Sequence, residues 1–302
     1  VSSAPPETPT VDSALARRLL AGAFPRWAEL PLRPVLPGGS DHLIYRLGDD
    51  LSVRFPRGTW SAGQARKEAR WLPLIAPRLP LPVPEPVAVG EPALGYPWHW
   101  SVSRWLDGEQ ATPEALADPE ESARQLGAFL VALHRLPPAE TLLPGHDQRE
   151  LAIGTLAARD AATRGAIAAV GDTISDSFGA DALTELWDAA LTAPAWQGPP
   201  AWVHGDFHVG NLLVTDGRIS AVIDFGGLGL GDPAADLVVA WTLMTAETRP
   251  HFRAASGLDD ATWLRGRGWA LATGLNAYHS YAATRPDVAR ATTRQIIQAL
   301  RG

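Results

Sequence analysis

The 302-residue chain has no cysteine. That excludes disulfides, thiolate metal sites and a cysteine nucleophile. Lysine is almost missing as well. Lys67 is the only one, beside 25 arginines, so a basic side chain needed anywhere else has to be arginine. No apolar run approaches the roughly 18 residues needed to span a bilayer. Val1 to Thr10 is rich in Pro, Ser and Thr without a basic or apolar stretch, so no secretory signal is expected there and a cytoplasmic setting is. There is no internal repeat and no G-x-x-x-x-G-K-[S/T] segment, which excludes the P-loop manner of holding a nucleotide. What is present is a globular composition, 46% apolar with twelve tryptophans, long enough for a large core and two lobes.

Charge is distributed unevenly. Residues 1–106 carry 12 basic and 9 acidic side chains, and residues 107–302 carry 14 and 24, giving +3 and −10 within the total of −7. An acidic second part opposes a nucleic-acid partner, because phosphate backbones need a basic face. It favours a cationic ligand; a solvated acidic surface is the plain alternative.

Along the chain, Asp12 to Ala23 reads as a short amphipathic helix capped by Asp12. Strand patterns follow at Leu43–Leu47 and Leu51–Phe55, joined by a turn at Gly48-Asp49-Asp50. Ser61 to Ile75 reads as a helix that ends at a Pro-rich run, and Trp98 to Trp105 as a strand. Asp118-Pro119 then opens a helix to about Leu136. Helices are expected at 148–169, 181–193, 233–248, 260–283 and 287–300. Short strands are expected at Ala201–His204, Asn211–Thr215 and Ile219–Asp224. Strands first and helices afterwards predict an α+β chain in two lobes, with the boundary near Leu106 to Gly108.

The most specific signal is His204-Gly205-Asp206-Phe207-His208-Val209-Gly210-Asn211, placed between two strand patterns. Asp206 and Asn211 have the D-x-x-x-x-N spacing of a phosphoryl-transfer loop. A carboxylate there can orient a hydroxyl and take its proton, and an amide oxygen on the same loop suits a hard metal ion. Ile223-Asp224-Phe225-Gly226 follows, its carboxylate suited to magnesium at phosphates and its glycine to a sharp turn. Gly231-Asp232-Pro233 and Asp236-Leu237 complete the ordered set.

With these residues the chain resembles the aminoglycoside phosphotransferase family, whose protein-kinase-like fold is shared by choline and macrolide kinases. The resemblance runs from about Val35 to the last helices and is sharpest over Trp202 to Trp241. It implies a bilobal α+β fold, with a small β-rich nucleotide-binding lobe at 1–106 and a larger helical catalytic and substrate lobe at 107–302. It implies Asp206 as catalytic base, Asn211 and Asp224 as magnesium ligands, Asp236 as a brace of the catalytic loop and His204 as its buttress. His208 would stand behind the reacting groups, or be a partly buried polar side chain.

The first lobe departs from the family pattern. Where the family has a lysine on the third strand, Val53-Arg54-Phe55 has arginine, with Glu68 as its partner 14 residues on. Arginine can bind phosphate and pair with Glu68, but its planar fork is not an ammonium; a surface strand residue is the alternative. Lys67 should point elsewhere on the helix. Gly38, Gly39, Ser40, Asp41 and His42 form the expected loop over the phosphates, though a plain turn would look the same. Ser103, Arg104, Trp105 and Leu106 are the expected hinge, touching the base through backbone groups. The cofactors implied are ATP or GTP with Mg2+.

Only eight residues separate Asp224 from Asp232 and no Ala-Pro-Glu follows, which leaves no room for a protein kinase activation loop. The acceptor is therefore expected to be a small molecule, without nucleic-acid or membrane partners. The −10 balance favours an aminoglycoside; a macrolide, a basic peptide antibiotic or a metabolite stays open, as does a nucleotide-binding pseudokinase. Asp259, Asp260, Tyr278 and His279 are candidate acceptor contacts, with surface or core roles as the alternative.

Overall fold

The computed structural model describes residues 11–36, 38–170 and 179–302; the segment read as lacking a signal, 1–10, lies outside them. These residues form two compact units. The first takes in the described residues up to Pro77, with Pro82–Asp107 and Ile223–Gly226. The second takes in Arg78–Leu81, Gly108–Val222 and Gly227–Gly302. The sequence placed Ile223–Gly226 in the second lobe; in the structure this segment packs with the first.

The first unit contains α1 (Ser13–Ala23), β1 (Leu32–Pro34), β2 (His42–Leu47), β3 (Leu51–Pro56), α2 (Gln64–Ile75), β4 (Pro86–Gly90) and β5 (Trp100–Arg104). Its antiparallel sheet has the order β1-β2-β3-β5-β4. The turn at Gly48, which has φ +59°, fixes the register Leu47↔Leu51, and hence Ile44↔Arg54 and His42↔Pro56. Alternation sends Leu47, Val53, Phe55, Trp100 and Val102 into a core closed by Ala16, Leu19 and Leu20 of α1. Phe55 stacks on Trp100 with centroids 5.0 Å apart and meets Tyr45 and Tyr96 edge-on. The two tyrosine hydroxyls stay satisfied by donating to the Val11 and Pro56 carbonyls. Asp12 caps α1 by accepting from the Leu15 N–H. Strands β1 and β4 escaped the sequence reading, because proline in both masks the strand pattern and each lies at a sheet edge, where proline is tolerated.

The second unit contains β6 (Glu109–Gln110), α3 (Pro119–His134), α4 (Ala139–Leu142), α5 (Asp160–Val170), α6 (Ala180–Thr192), β7 (Ala201–Val203), β8 (Leu212–Thr215), β9 (Arg218–Val222), β10 (Gly229–Gly231), α7 (Val239–Thr242), α8 (Arg249–Ser256), α9 (Asp260–Tyr281) and α10 (Pro286–Arg301). Two small sheets, β6-β8-β9 and β10-β7, carry the loops of interest. The helix expected at 148–169 forms only from Asp160. The preceding stretch is two 3-10 turns, Gln148–Leu151 and Ala157–Arg159, with non-helical chain between them, where Ala152 bridges to Leu230 and Ile153 fills the space over Gly229 and Gly231. The helix expected at 233–248 is a 3-10 run, Pro233–Val238, continued by α7. α8 was not among the expected helices; Pro250 occupies its first turn, where proline is tolerated. Among the described residues no helix is long and apolar enough to cross a membrane.

Phe55 is fully buried among three aromatic rings. Phe55→Ala is expected to lower the stability of the first unit by about 3–5 kcal/mol. The check is a urea unfolding curve followed by tryptophan fluorescence; a midpoint unchanged from wild type would contradict this packing.

Candidate active site

In the first unit β3 and α2 supply a buried arginine and a buried glutamate to each other. Arg54 Nη1 donates to Glu68 Oε1 at 3.0 Å and Oε2 at 2.8 Å, and Nη2 donates to Asp224 Oδ1 at 2.8 Å. The Glu68 side chain is 2% exposed and that of Asp224 37%. Burial works against the Arg54 charge, but the carboxylates of Glu68 and Asp224 outweigh it and raise its pKa. Burial also pushes the Glu68 carboxyl up, partly offset by Arg54. The expected strand into Asp224 stops at Val222, and Asp224 takes φ +63°, a left-handed backbone that aspartate tolerates better than most residues.

Sequence reading placed His42 in the phosphate loop; the structure places it in β2, buried, with Nδ1 3.3 Å from Arg54 Nη2. Burial and then the Arg54 charge lower its pKa to about 3. The imidazole is therefore neutral at pH 7. The hairpin register was the signal that could have found this contact, since His42 lies diagonally across from Arg54 on one face.

Of the expected phosphate loop, Gly39 accepts from Arg57 Nε through its carbonyl, and Asp41 is tied to Trp60 Nε1, Gln64 Nε2 and the Ser61 hydroxyl. Among the described residues the N–H groups of Gly38, Gly39 and Ser40 make no hydrogen bond. At the expected hinge, the N–H groups of Arg104 and Trp105 already donate to the Glu85 and Asp50 carbonyls. Those two donors are unavailable to a base, which corrects part of that expectation: strand pairing on both sides of β5 uses them. The buried Ser103 hydroxyl has no partner among the described residues, and Leu106 follows β5 without regular structure.

In the second unit the loop after β7 is fixed by Asp236, whose side chain is 0% exposed. Asp236 Oδ2 accepts from the His204 N–H and Oδ1 from the Gly205 N–H, both at 2.9 Å, with His134 Nε2 3.3 Å from Oδ2. Gly205 has φ +80°, and a Cβ there would meet the Gly227 carbonyl oxygen at 2.2 Å. Only glycine fits that turn. His204 is buried and its Nδ1 accepts from the Asp206 N–H. His134, distant in sequence at the end of α3, was not foreseen, and no local pattern marks it.

Asn211 Nδ2 donates to the Asp206 carbonyl at 2.9 Å and to Asp206 Oδ2 at 3.0 Å. His208 Nδ1 accepts from the Gly210 N–H, and its Nε2 lies 3.5 Å from Asp206 Oδ2. The Asp206 side chain is 56% exposed. Partial burial pushes its pKa up, but His208, His204 and the Asn211 amide outweigh that and hold it at about 2. The result is an ionised, accessible carboxylate on a rigid loop, able to accept a hydrogen bond from a hydroxyl. The other candidates have different partners: Asp259 caps α9 by accepting from the Thr262 N–H, and Asp260 pairs with Arg253. Tyr278 is half-buried and His279 exposed, near the end of α9.

A family model described as the phosphotransferase enzyme family matches residues 33–270, and the chain belongs to that family. Among solved structures, the GDP and kanamycin complex of an aminoglycoside phosphotransferase superposes with a TM-score of 0.71 at 18% identity, over 94% of this chain and 97% of that one. A macrolide 2′-phosphotransferase from Brachybacterium faecium superposes with a TM-score of 0.60 at 21% identity, over 94% and 97%. These likenesses show the fold: α+β and protein-kinase-like. An aminoglycoside 3′-phosphotransferase of Escherichia coli is 33% identical over 60 residues, 20% of this chain and 22% of that protein, so the match spans about a fifth of its length.

Because the folded protein keeps His42 neutral down to about pH 3 while the unfolded chain protonates it near ~6.5, unfolding takes up a proton between those values. Stability from this group is full above the unfolded pKa and is lost as pH falls below it. The wild type should therefore lose more stability between pH 7 and pH 5 than His42→Asn, as read from urea midpoints without nucleotide. Equal losses in the two proteins would contradict a buried neutral imidazole.

Proposed function

We propose that the protein transfers the γ-phosphoryl group of ATP or GTP to a hydroxyl of an aminoglycoside-like antibiotic. The observation that carries this reading is the Asp206–Asn211 pair, an accessible carboxylate that, like the Asp206 backbone carbonyl, accepts a hydrogen bond from the amide five residues later, on a loop pinned by Asp236. The family match and the aminoglycoside relatives support the reaction class.

In this reading the acceptor hydroxyl donates to Asp206. The new bond forms between that oxygen and the γ-phosphorus, the bond to the β-bridging oxygen breaks, and nucleoside diphosphate leaves with its electron pair. The hydroxyl proton passes to Asp206. A carboxylate with a pKa of about 2 is a weak base, so it orients the hydroxyl first and takes the proton only as the new bond forms. His204 and Asp236 hold the loop. Arg54, oriented by Glu68, binds the α/β-phosphates, and the N–H groups of Gly38, Gly39 and Ser40, which make no hydrogen bond among the described residues, cover them. Backbone groups within Ser103–Leu106 meet the base.

Magnesium fits the donor set. Asn211 Oδ1 accepts no hydrogen bond among the described residues, and Asp224 is part-exposed, so each would offer a hard oxygen. When bound, the ion neutralises phosphate charge. Residues 1–106 would then be the nucleotide-binding lobe, and 107–302, without the Asp224 segment, the catalytic and acceptor lobe. The −10 balance of residues 107–302 suits a polycation. The likeness to a macrolide phosphotransferase keeps a macrolide as the second reading.

The deciding experiment screens aminoglycosides, macrolides and basic peptide antibiotics with labelled ATP and GTP. Turnover of an aminoglycoside is expected, with apparent affinity that falls as salt rises; exclusive turnover of a neutral acceptor would refute the electrostatic part. Asp206→Asn should bind both substrates and lose about 10²–10⁴-fold in kcat. Retention of wild-type kcat would remove Asp206 from the chemistry.

Arg54 gives a separate test. Arg54→Ala should raise the KM for nucleotide and lower kcat, and Arg54→Lys should restore part of both, because an ammonium keeps the charge without the fork. Unchanged kinetics in Arg54→Ala would show that the phosphates bind elsewhere. Absence of turnover in every variant, wild type included, would point to a pseudokinase.

A further inference from the structure

Arg159 closes a 3-10 turn, Ala157–Arg159, just before α5. Its guanidinium carbon lies 4.6 Å above the centre of the Trp269 ring. Trp269 is buried in α9. That helix is locked onto the segment carrying Asp236: a Cβ on Gly266 would strike Leu237 at 2.6 Å, and Arg265 forks onto Asp232. One packed element therefore fixes both the platform under Arg159 and the brace of the Asp206 loop.

The Arg159 guanidinium forms no ion pair among the described residues. Two acids of α5 and α6 are engaged by others: Asp160 accepts from Trp187 Nε1 and pairs with Arg164, and Asp188 pairs with Arg164. Among the described residues burial lowers three arginine pKa values, those of Arg159, Arg249 and Arg267. Arg249 and Arg267 donate to backbone carbonyls near the end of α10 and of α7. Arg159 has no hydrogen-bond acceptor and no ion pair among the described residues. Burial works against the Arg159 charge, and among the described residues the Asp206 carboxylate favours it. In a lobe with 24 acidic and 14 basic side chains, carboxylates are in surplus, yet none among the described residues pairs with this half-buried cation.

We propose that Arg159, held over the Trp269 ring, binds the phosphoryl oxygens as the group joins the acceptor hydroxyl at Asp206. A planar guanidinium on an aromatic face is pre-organised, so less freedom is lost when its N–H groups meet two phosphoryl oxygens. A cation aimed at charge on the transferring group acts on kcat rather than on nucleotide binding. The assignment rests on the phosphotransfer reading of Asp206, and its test separates the two.

Inorganic phosphate is titrated calorimetrically into the full chain carrying Arg54→Ala, which removes the guanidinium assigned above to the α/β-phosphates, and nucleotide hydrolysis and acceptor turnover are measured with Arg54 intact. Adding Arg159→Ala should weaken phosphate binding about tenfold and lower kcat about 10–10³-fold with little change in nucleotide KM. Arg159→Lys should fall between, and Trp269→Phe, which keeps a ring beneath the guanidinium, should weaken both measures less than Arg159→Ala. A melting temperature near wild type in Arg159→Lys shows that folding is not the cause. Wild-type phosphate affinity and kcat in Arg159→Ala, with the parent enzyme active, would overturn the assignment and leave the phosphotransfer reading standing. Loss of phosphate binding in Arg159→Ala of a parent without any turnover would keep the anion site and sink that reading. Acetate binding as tight as phosphate, with unchanged hydrolysis, would transfer the site to an acceptor carboxylate and overturn the phosphoryl role.

Discussion

The Asp236 carboxylate, closed off from solvent, holds the catalytic loop by two backbone hydrogen bonds, from His204 and Gly205. A buried carboxylate without partners is costly. Asp236 avoids that cost only by gripping these two N–H groups and His134. The loop consequently has one conformation in which Gly205 turns against Gly227 and Asp206 follows with its side chain in reach of water. Asn211 then closes the loop on itself through the Asp206 carbonyl and carboxylate. The low Asp206 pKa, the accessible oxygen and the spacing to Asn211 all depend on that grip.

The first unit solves a different problem, a single cation between two acids. Arginine in place of lysine can give one edge of its fork to Glu68 and the other to Asp224 at the same time. An ammonium on a flexible stem has no such fixed fork. His42 completes the arrangement as a neutral acceptor, because a second cation beside Arg54 would be repelled. The near-absence of lysine is thus met by a network built for arginine's geometry.

Much of this was legible locally. The Asp206–Asn211 spacing, the Asp224-Phe225-Gly226 turn and the pairing of Arg54 with Glu68 follow from short patterns or from a strand followed by a helix. The Asp12 and Asp118 caps were readable for the same reason, since capping is a contact across three residues. Readings failed where distant packing overrode a local preference. The stretch before Asp160 has helical composition but gives its backbone to β10, and the expected hinge donors are taken by strand neighbours on both sides of β5.

By itself the sequence determined the α+β order, the family and the Asp206–Asn211 spacing, because each is encoded in residues a few positions apart. Only the tertiary structure decided that His134 reaches Asp236, that His42 is buried against Arg54, that Asp224 packs with the first unit, and that Arg159 lies over Trp269. Those contacts join residues from 12 to 170 positions apart. Their formation depends on which helix faces meet and which charges are left over, and both are set by packing of the whole chain rather than by any local spacing.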